Sequence, residues 1–135
     1  MLMYQITKDL ETGNTMIDTQ HKELFNAINN LLEACSKGKG REQIQSTITF
    51  LADYTNKHFG DEEALQRKYN YPDYIKHKQY HEGFKMAVKA INEEFQKQGA
   101  TIALVGKINT NVGNWLVNHI KREDVKVAAH IRSMQ

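Results

Sequence analysis

The sequence predicts an all-α protein: an antiparallel up-down-up-down four-helix bundle with an N-terminal arm and a short C-terminal helix. Two observations carry this. Apolar residues recur in steps of three and four over four long stretches, which is the seam of a bundled helix. Short runs rich in glycine, proline and asparagine separate the stretches, and short connections make successive helices antiparallel neighbours. A third observation is negative: no stretch alternates with period two, and no Asn-Gly or Asp-Gly hairpin turn occurs.

The arm, residues 1–16, lacks a clear period and is expected to lie across the bundle. The first helix reads Ile17, His21, Leu24, Ile28, Leu31, Cys35, with Asp18 or Thr19 as its expected N-cap. Gly38-Lys39-Gly40 ends it. The second reads Ile44, Ile48, Leu51, Thr55, His58, Glu62, Leu65, and Asn70-Tyr71-Pro72-Asp73 follows. The third, with Asp73 near its start, reads His77, His81, Phe84, Val88, Ile91, Phe95, and stops at Gln98-Gly99-Ala100-Thr101. The fourth reads Ile102, Val105, Ile108, Val112, Leu116, His119. The bundle is thus expected over 17–124 and a tail over 125–135, all one domain of 135 residues.

Composition narrows the function. Eighteen basic against sixteen acidic residues give a net charge of only +2, too small a field for a nucleic-acid binder. No apolar run approaches the roughly 18 residues of a membrane span, and no secretory signal opens the chain. The single cysteine, Cys35, excludes an internal disulfide framework and fits the reducing cytoplasm. On the apolar seam, it is expected to be buried and inert. His130, in the tail, reads as a surface histidine.

The informative residues are polar ones in core register. His21, His58, Glu62, His77, His81 and His119 all fall on the seams of their helices. Burying such groups is costly unless they are paired, hydrogen-bonded or bound to a metal. His58 and Glu62, like His77 and His81, are four apart. Four residues advance about 400°, so each pair shares one face. Alternating helix direction brings all four sets to the same end of the bundle. Five imidazoles with carboxylates exceed the needs of one tetrahedral zinc and point to two metals. After His119 the chain offers Glu123 at i+4 and Asp124 at i+5. Spacing favours Glu123; Asp124 lies about 140° away on an ideal helix and serves only if the helix ends, bends or carries a π bulge there.

Taken in order, the lone His21, His58-x-x-x-Glu62, His77-x-x-x-His81 and His119-x-x-x-x-Asp124 resemble the hemerythrin family, in particular its single-domain bacterial members. The lead-in from Gly13 to Leu24 is similar too. The resemblance implies that Asp124 rather than Glu123 is the last ligand, with a local irregularity at residues 121–124. It implies a cofactor of two iron ions, bridged by Glu62, Asp124 and a solvent oxygen. His77, His81 and His119 would serve one iron, His21 and His58 the other, leaving one open position. Dioxygen would bind there end-on as hydroperoxide, behind an apolar wall of Leu24, Phe59, Trp115, Leu116 and Ile120. Two departures stand out: Tyr4 where bacterial members often carry tryptophan, and Gly60 inside the second helix, a candidate for close helix approach.

The function so implied is reversible oxygen binding, for transport, storage or local supply, by a protein that is not an enzyme. Dioxygen is the expected partner, with no nucleic acid and no membrane. The residues leave open a sensor of oxygen, nitric oxide or redox state acting through a partner, a weak di-iron oxidase, and iron handling. Against the oxidase, ferritin-like sites use Glu-x-x-His pairs, and no glutamate here has histidine at i+3.

Overall fold

The computed structural model describes residues 4–135; the first three residues of the expected arm lie outside the described residues. Four helical rods form an up-down-up-down bundle, and no strand occurs among the described residues. After a 3-10 turn at Lys8–Leu10 come α1 (Thr15–Ser36), α2 (Arg41–Lys68) and α3 (Tyr74–Gln98). The fourth rod is continuous but not uniform. It comprises α4 (Ile102–Lys107), a π segment (Ile108–Gly113), α5 (Asn114–His119), a second π segment (Ile120–Asp124) and α6 (Val125–Ser133). The tail is therefore helical, as expected, and extends the fourth rod.

The connections fall where the punctuation placed them. Gly38 and Gly99 take left-handed backbone, φ 65° and 76°, just past the ends of α1 and α3. Thr101 caps α4, its side chain accepting from Leu104 N. The start of α1 departs from expectation. Its cap is Asn14, whose Oδ1 accepts from Ile17 N at 3.0 Å. Asp18 lies inside the first turn and faces back, accepting from Thr12 N, Thr12 Oγ1 and Gly13 N at 2.9, 2.7 and 3.2 Å. Both residues are capping types, and the acid is used to hold the entry loop.

Every expected seam residue of α1 and α3 is buried, and those of α2 are buried except Leu65, which is half-buried. The fourth rod differs. Ile102 is 93% exposed, Val105 is half-buried, and Leu104 takes the inward place. The buried set then runs Leu104, Ile108, Val112, Leu116, Ile120, Asp124 in steps of four. On an α-helix each such step overshoots a turn by about 40°, or about 200° over five steps. The two π segments, wound i to i+5, keep this stripe facing inward.

The main core lies along the bundle, with Phe25, Leu31, Ile48, Phe59, Phe84, Ile108 and Leu116 at its centre. A smaller cluster of Ile17, Tyr71, Val127 and Ile131 closes the opposite side of the histidine end. His130 is half-buried rather than a plain surface residue. Its Nε2 lies 2.7 Å from Tyr69 O, fastening α6 to the connection after α2. Cys35 is buried as expected, and burial raises its thiol pKa.

The glycine expectation is corrected. Gly60 is exposed, and a Cβ there would meet nothing within 4 Å. Close approach occurs instead at Gly113, at the end of the first π segment. A Cβ there would sit 2.2 Å from Tyr4 Cζ. Tyr4 stacks on Phe25 with centroids 5.9 Å apart and donates from its hydroxyl to Asn109 Oδ1 at 3.0 Å. Asn29 pairs with Tyr4 N and O, both at 2.8 Å. The arm is thus laid across α1 and the fourth rod, consistent with a packing role for Tyr4.

Candidate metal centre

Helix direction brings the seven polar residues together. His21 lies in the second turn of α1, His58 and Glu62 near the end of α2, His77 and His81 at the start of α3. His119 ends α5, and Asp124 ends the second π segment. That segment is the irregularity the resemblance implied. A π turn closes at i+5, so Asp124 returns to the face of His119. Asp124 is 1% exposed, whereas Glu123 remains half-exposed outside the cluster.

The donor atoms form two overlapping groups, each within 4.8 Å. Glu62, His77, His81, His119 and Asp124 make one; His21, His58, Glu62 and Asp124 make the other. Both carboxylates belong to both groups. Nε2 of His77 is 2.7 Å from Glu62 Oε1 and 3.1 Å from Asp124 Oδ1. His81 Nε2 reaches Glu62 Oε1 at 3.2 Å, His119 Nε2 reaches Asp124 Oδ1 at 3.2 Å, and His21 Nε2 reaches Asp124 Oδ2 at 2.9 Å. His58 Nε2 stands farther off, 3.7 Å from Glu62 Oε2.

The chemistry of this cluster fits a metal better than a hydrogen-bond network. Despite these short approaches, His21 Nε2, His58 Nε2, His81 Nε2, Glu62 Oε2 and both carboxylate oxygens of Asp124 are buried and make no hydrogen bond of acceptable angle among the described residues. Two imidazole nitrogens, of His77 and His119, converge to 3.1 Å. Unpaired buried acceptors cost roughly 1–3 kcal/mol each. Imidazole and carboxylate donors aimed at common points suit divalent iron and its neighbours.

Electrostatics describe the same competition in protons. Burial opposes charge on His77, but the Asp124 and Glu62 carboxylates outweigh it and push its pKa up to about 10. His21 and His81 are raised too, carboxylates again outweighing burial. His58, whose carboxylate neighbour is distant, is lowered by burial to about 4. Burial and Asp124 work against charge on Glu62, yet the surrounding imidazoles hold it down to about 2. Against its own burial, His119, His21 and His77 hold Asp124 well below the usual carboxylate range. A metal entering here displaces protons from imidazoles poised to hold them.

Two of the five apolar residues expected as a wall, Phe59 and Trp115, stack on imidazoles of the five-donor group. Leu24, Phe59, Leu116 and Ile120 are fully buried. Phe59 lies flat on His81, centroids 3.7 Å apart. Trp115 is half-buried and stacks on His119 at 4.6 Å. It covers an imidazole of the five-donor group, on the side of the shallow depression formed with Tyr80, Asn118, Arg122 and Glu123. Sequence reasoning missed three residues behind the donors. Glu63 Oε2 lies 2.8 Å from His81 Nδ1, Gln20 Oε1 lies 2.8 Å from His58 Nδ1, and buried Gln66 contacts Glu62. Glu63 and Gln20 adjoin ligands in sequence, but that adjacency alone carried no signal.

An all-helical bundle with such a buried imidazole–carboxylate cluster is, as a class, a cation-binding bundle. The sequence profile of the hemerythrin HHE cation binding domain matches residues 12–131. A bacteriohemerythrin of Pseudomonas aeruginosa (strain LESB58) is 35% identical over 124 residues, covering 92% of this chain and 78% of that protein. A bacteriohemerythrin of Methylococcus capsulatus is 32% identical over 124 residues, 91% and 92% of the two chains. A crystal structure of wild-type hemerythrin superposes with a TM-score of 0.85 at 27% identity, over 97% of this chain and 98% of that one. The chain belongs to the hemerythrin family, as a hemerythrin-type iron, oxygen-binding protein.

Proposed function

We propose that the seven side chains hold two iron ions and that the protein binds dioxygen reversibly, as a carrier, store or local supply rather than as an enzyme. One observation carries this: the two donor groups share Glu62 and Asp124 but differ by one imidazole. His77, His81 and His119 would complete one position; His21 and His58 would leave the other a donor short, with room for dioxygen end-on. The bound pair supplies the electrons that dioxygen takes up and returns. The remaining work belongs to the chain. Glu62 and Asp124 hold the positions together, and Leu24, Phe59, Leu116 and Ile120 keep water from the cluster. Trp115 shields the outer face of His119. The lone buried Cys35 fits a reducing cytoplasm.

The test is a gas cycle on iron-loaded, reduced protein. A visible absorption band that appears in air and vanishes under argon, over repeated cycles, supports reversible binding. Irreversible bleaching with turnover of an added reductant supports an oxidase instead.

A further inference from the structure

Among the described residues, only two of the five cluster histidines have a hydrogen-bond partner at the outward nitrogen, and one belongs to each donor group. His81 Nδ1 lies 2.8 Å from Glu63 Oε2. His58 Nδ1 lies 2.8 Å from Gln20 Oε1. The outward nitrogens of His21 and His77 are buried with no such partner.

These contacts fix tautomers. A carboxylate only accepts, so His81 must keep a proton on Nδ1, and the nitrogen left to face a metal in its neutral form is Nε2. The amide of Gln20 reaches the same result by a longer route. Its Nε2 donates to Asp61 Oδ2 at 2.8 Å, and Lys57 Nζ donates to the same oxygen at 2.9 Å. The Asp61 carboxylate can only accept, so it orients the amide with nitrogen outward and oxygen inward. His58 is then the donor at Nδ1, and its Nε2 too presents a lone pair. Gln20 is 7% exposed and Glu63 is 7% exposed, so neither contact competes freely with water.

We propose that Glu63 and Gln20 are positioning residues that preset one imidazole for each metal position and make the two positions load in order. This rests on the two-metal reading above. A carboxylate raises the basicity of the imidazole it backs more than a neutral amide does. The Glu63-backed position also has five donors and is complete without His21 or His58. It fills first. The position served by His58 fills second, and Gln20, oriented by Asp61 and Lys57, governs that step alone.

The experiment is calorimetric titration of the metal-stripped chain with ferrous iron under argon, beside ring nitrogen-15 spectra of the histidines before iron is added. Wild-type protein takes up two irons in two steps, the first tighter. Glu63→Gln weakens the first step about 10–100-fold. Gln20→Ala leaves the first step unchanged and weakens the second by a similar factor, with loss of the Nδ1-protonated signal of His58. The double variant Gln20→Glu, Asp61→Asn puts a carboxylate behind His58 and, at position 61, an amide that can donate to it. It restores the second step, a rescue that a merely structural role for Gln20 does not give. Gln20→Ala weakening both steps alike, or neither, overturns the proposal while two-iron binding stands. So does a second step in the double variant no stronger than in Gln20→Ala. Uptake of a single iron by the wild-type chain instead overturns the two-metal reading on which the proposal rests.

Discussion

Two glycine-to-alanine substitutions of identical chemistry are expected to move stability in opposite directions. Gly60 lies on the exposed face of α2 with open space around it. Alanine there gains about 1 kcal/mol of helix propensity. Gly113 carries the same gain but faces Tyr4, whose Cζ, hydroxyl and Cε2 would lie 2.2, 2.3 and 2.6 Å from the new methyl. Carbon contacts settle near 3.5 Å or more, so the ring must retreat by about 1.3 Å. It is held by Phe25, Asn109 and Asn29. Overpacking of this kind costs about 1–3 kcal/mol, leaving a net loss of about 0–2 kcal/mol after the propensity gain. For a chain of 135 residues, 1 kcal/mol corresponds to about 3–4 °C. The two variants, about 1–3 kcal/mol apart, should therefore melt about 3–12 °C apart. Thermal unfolding of the metal-stripped chain removes the contribution of bound metal. In a Tyr4→Ala background, Gly113→Ala should recover the gain seen at Gly60. Equal stabilisation by both substitutions in the otherwise wild-type chain refutes the close approach of arm and rod.

The remaining expectations concern the cluster. His77→Ala should reduce bound iron by at least one ion per chain, by metal analysis; two irons with an unchanged spectrum remove His77 from the site. Leu116→Ala, at a fully buried position, should cost about 2–5 kcal/mol. It should also speed oxidation of the iron-loaded protein by admitting water, and an unaltered oxidation rate takes Leu116 out of the wall. The metal-stripped chain should also lose stability in alkali. The folded pKa of His77, about 10, lies above its unfolded value near 6.5. Its contribution is complete below about 6.5 and is lost as pH rises through about 10. The melting temperature of the stripped chain should fall between pH 7 and pH 10 more than that of the loaded chain, where metal replaces the proton. Parallel curves contradict this.

What the sequence made legible follows from what leaves a periodic trace. Buried faces of α1 and α3 show because apolar residues repeat, and His21, His58, His77, His81 and His119 show because polar residues break that repeat. Asp124 left no such trace. Regular winding turns it away, and only resemblance to the family, not spacing, singled it out before the π segment at Ile120–Asp124 was seen. The two π segments of the fourth rod together keep a stripe of fours inward that starts at Leu104 rather than Ile102, since such a stripe is inconsistent with unbroken α-helix. Asn14 and Asp18 are interchangeable as caps by type; their division of labour depends on the fold of residues 12–14. Gln20, Glu63 and Gly113 act through contacts between rods, or between rod and arm. No local pattern encodes such contacts.

Two metal positions that share Glu62 and Asp124 and differ by one imidazole would each scatter anomalously at the iron edge in crystals of the iron-loaded protein. Two peaks are expected, one ringed by His77, His81 and His119, the other by His21 and His58. A single peak, or peaks away from both carboxylates, contradicts this arrangement.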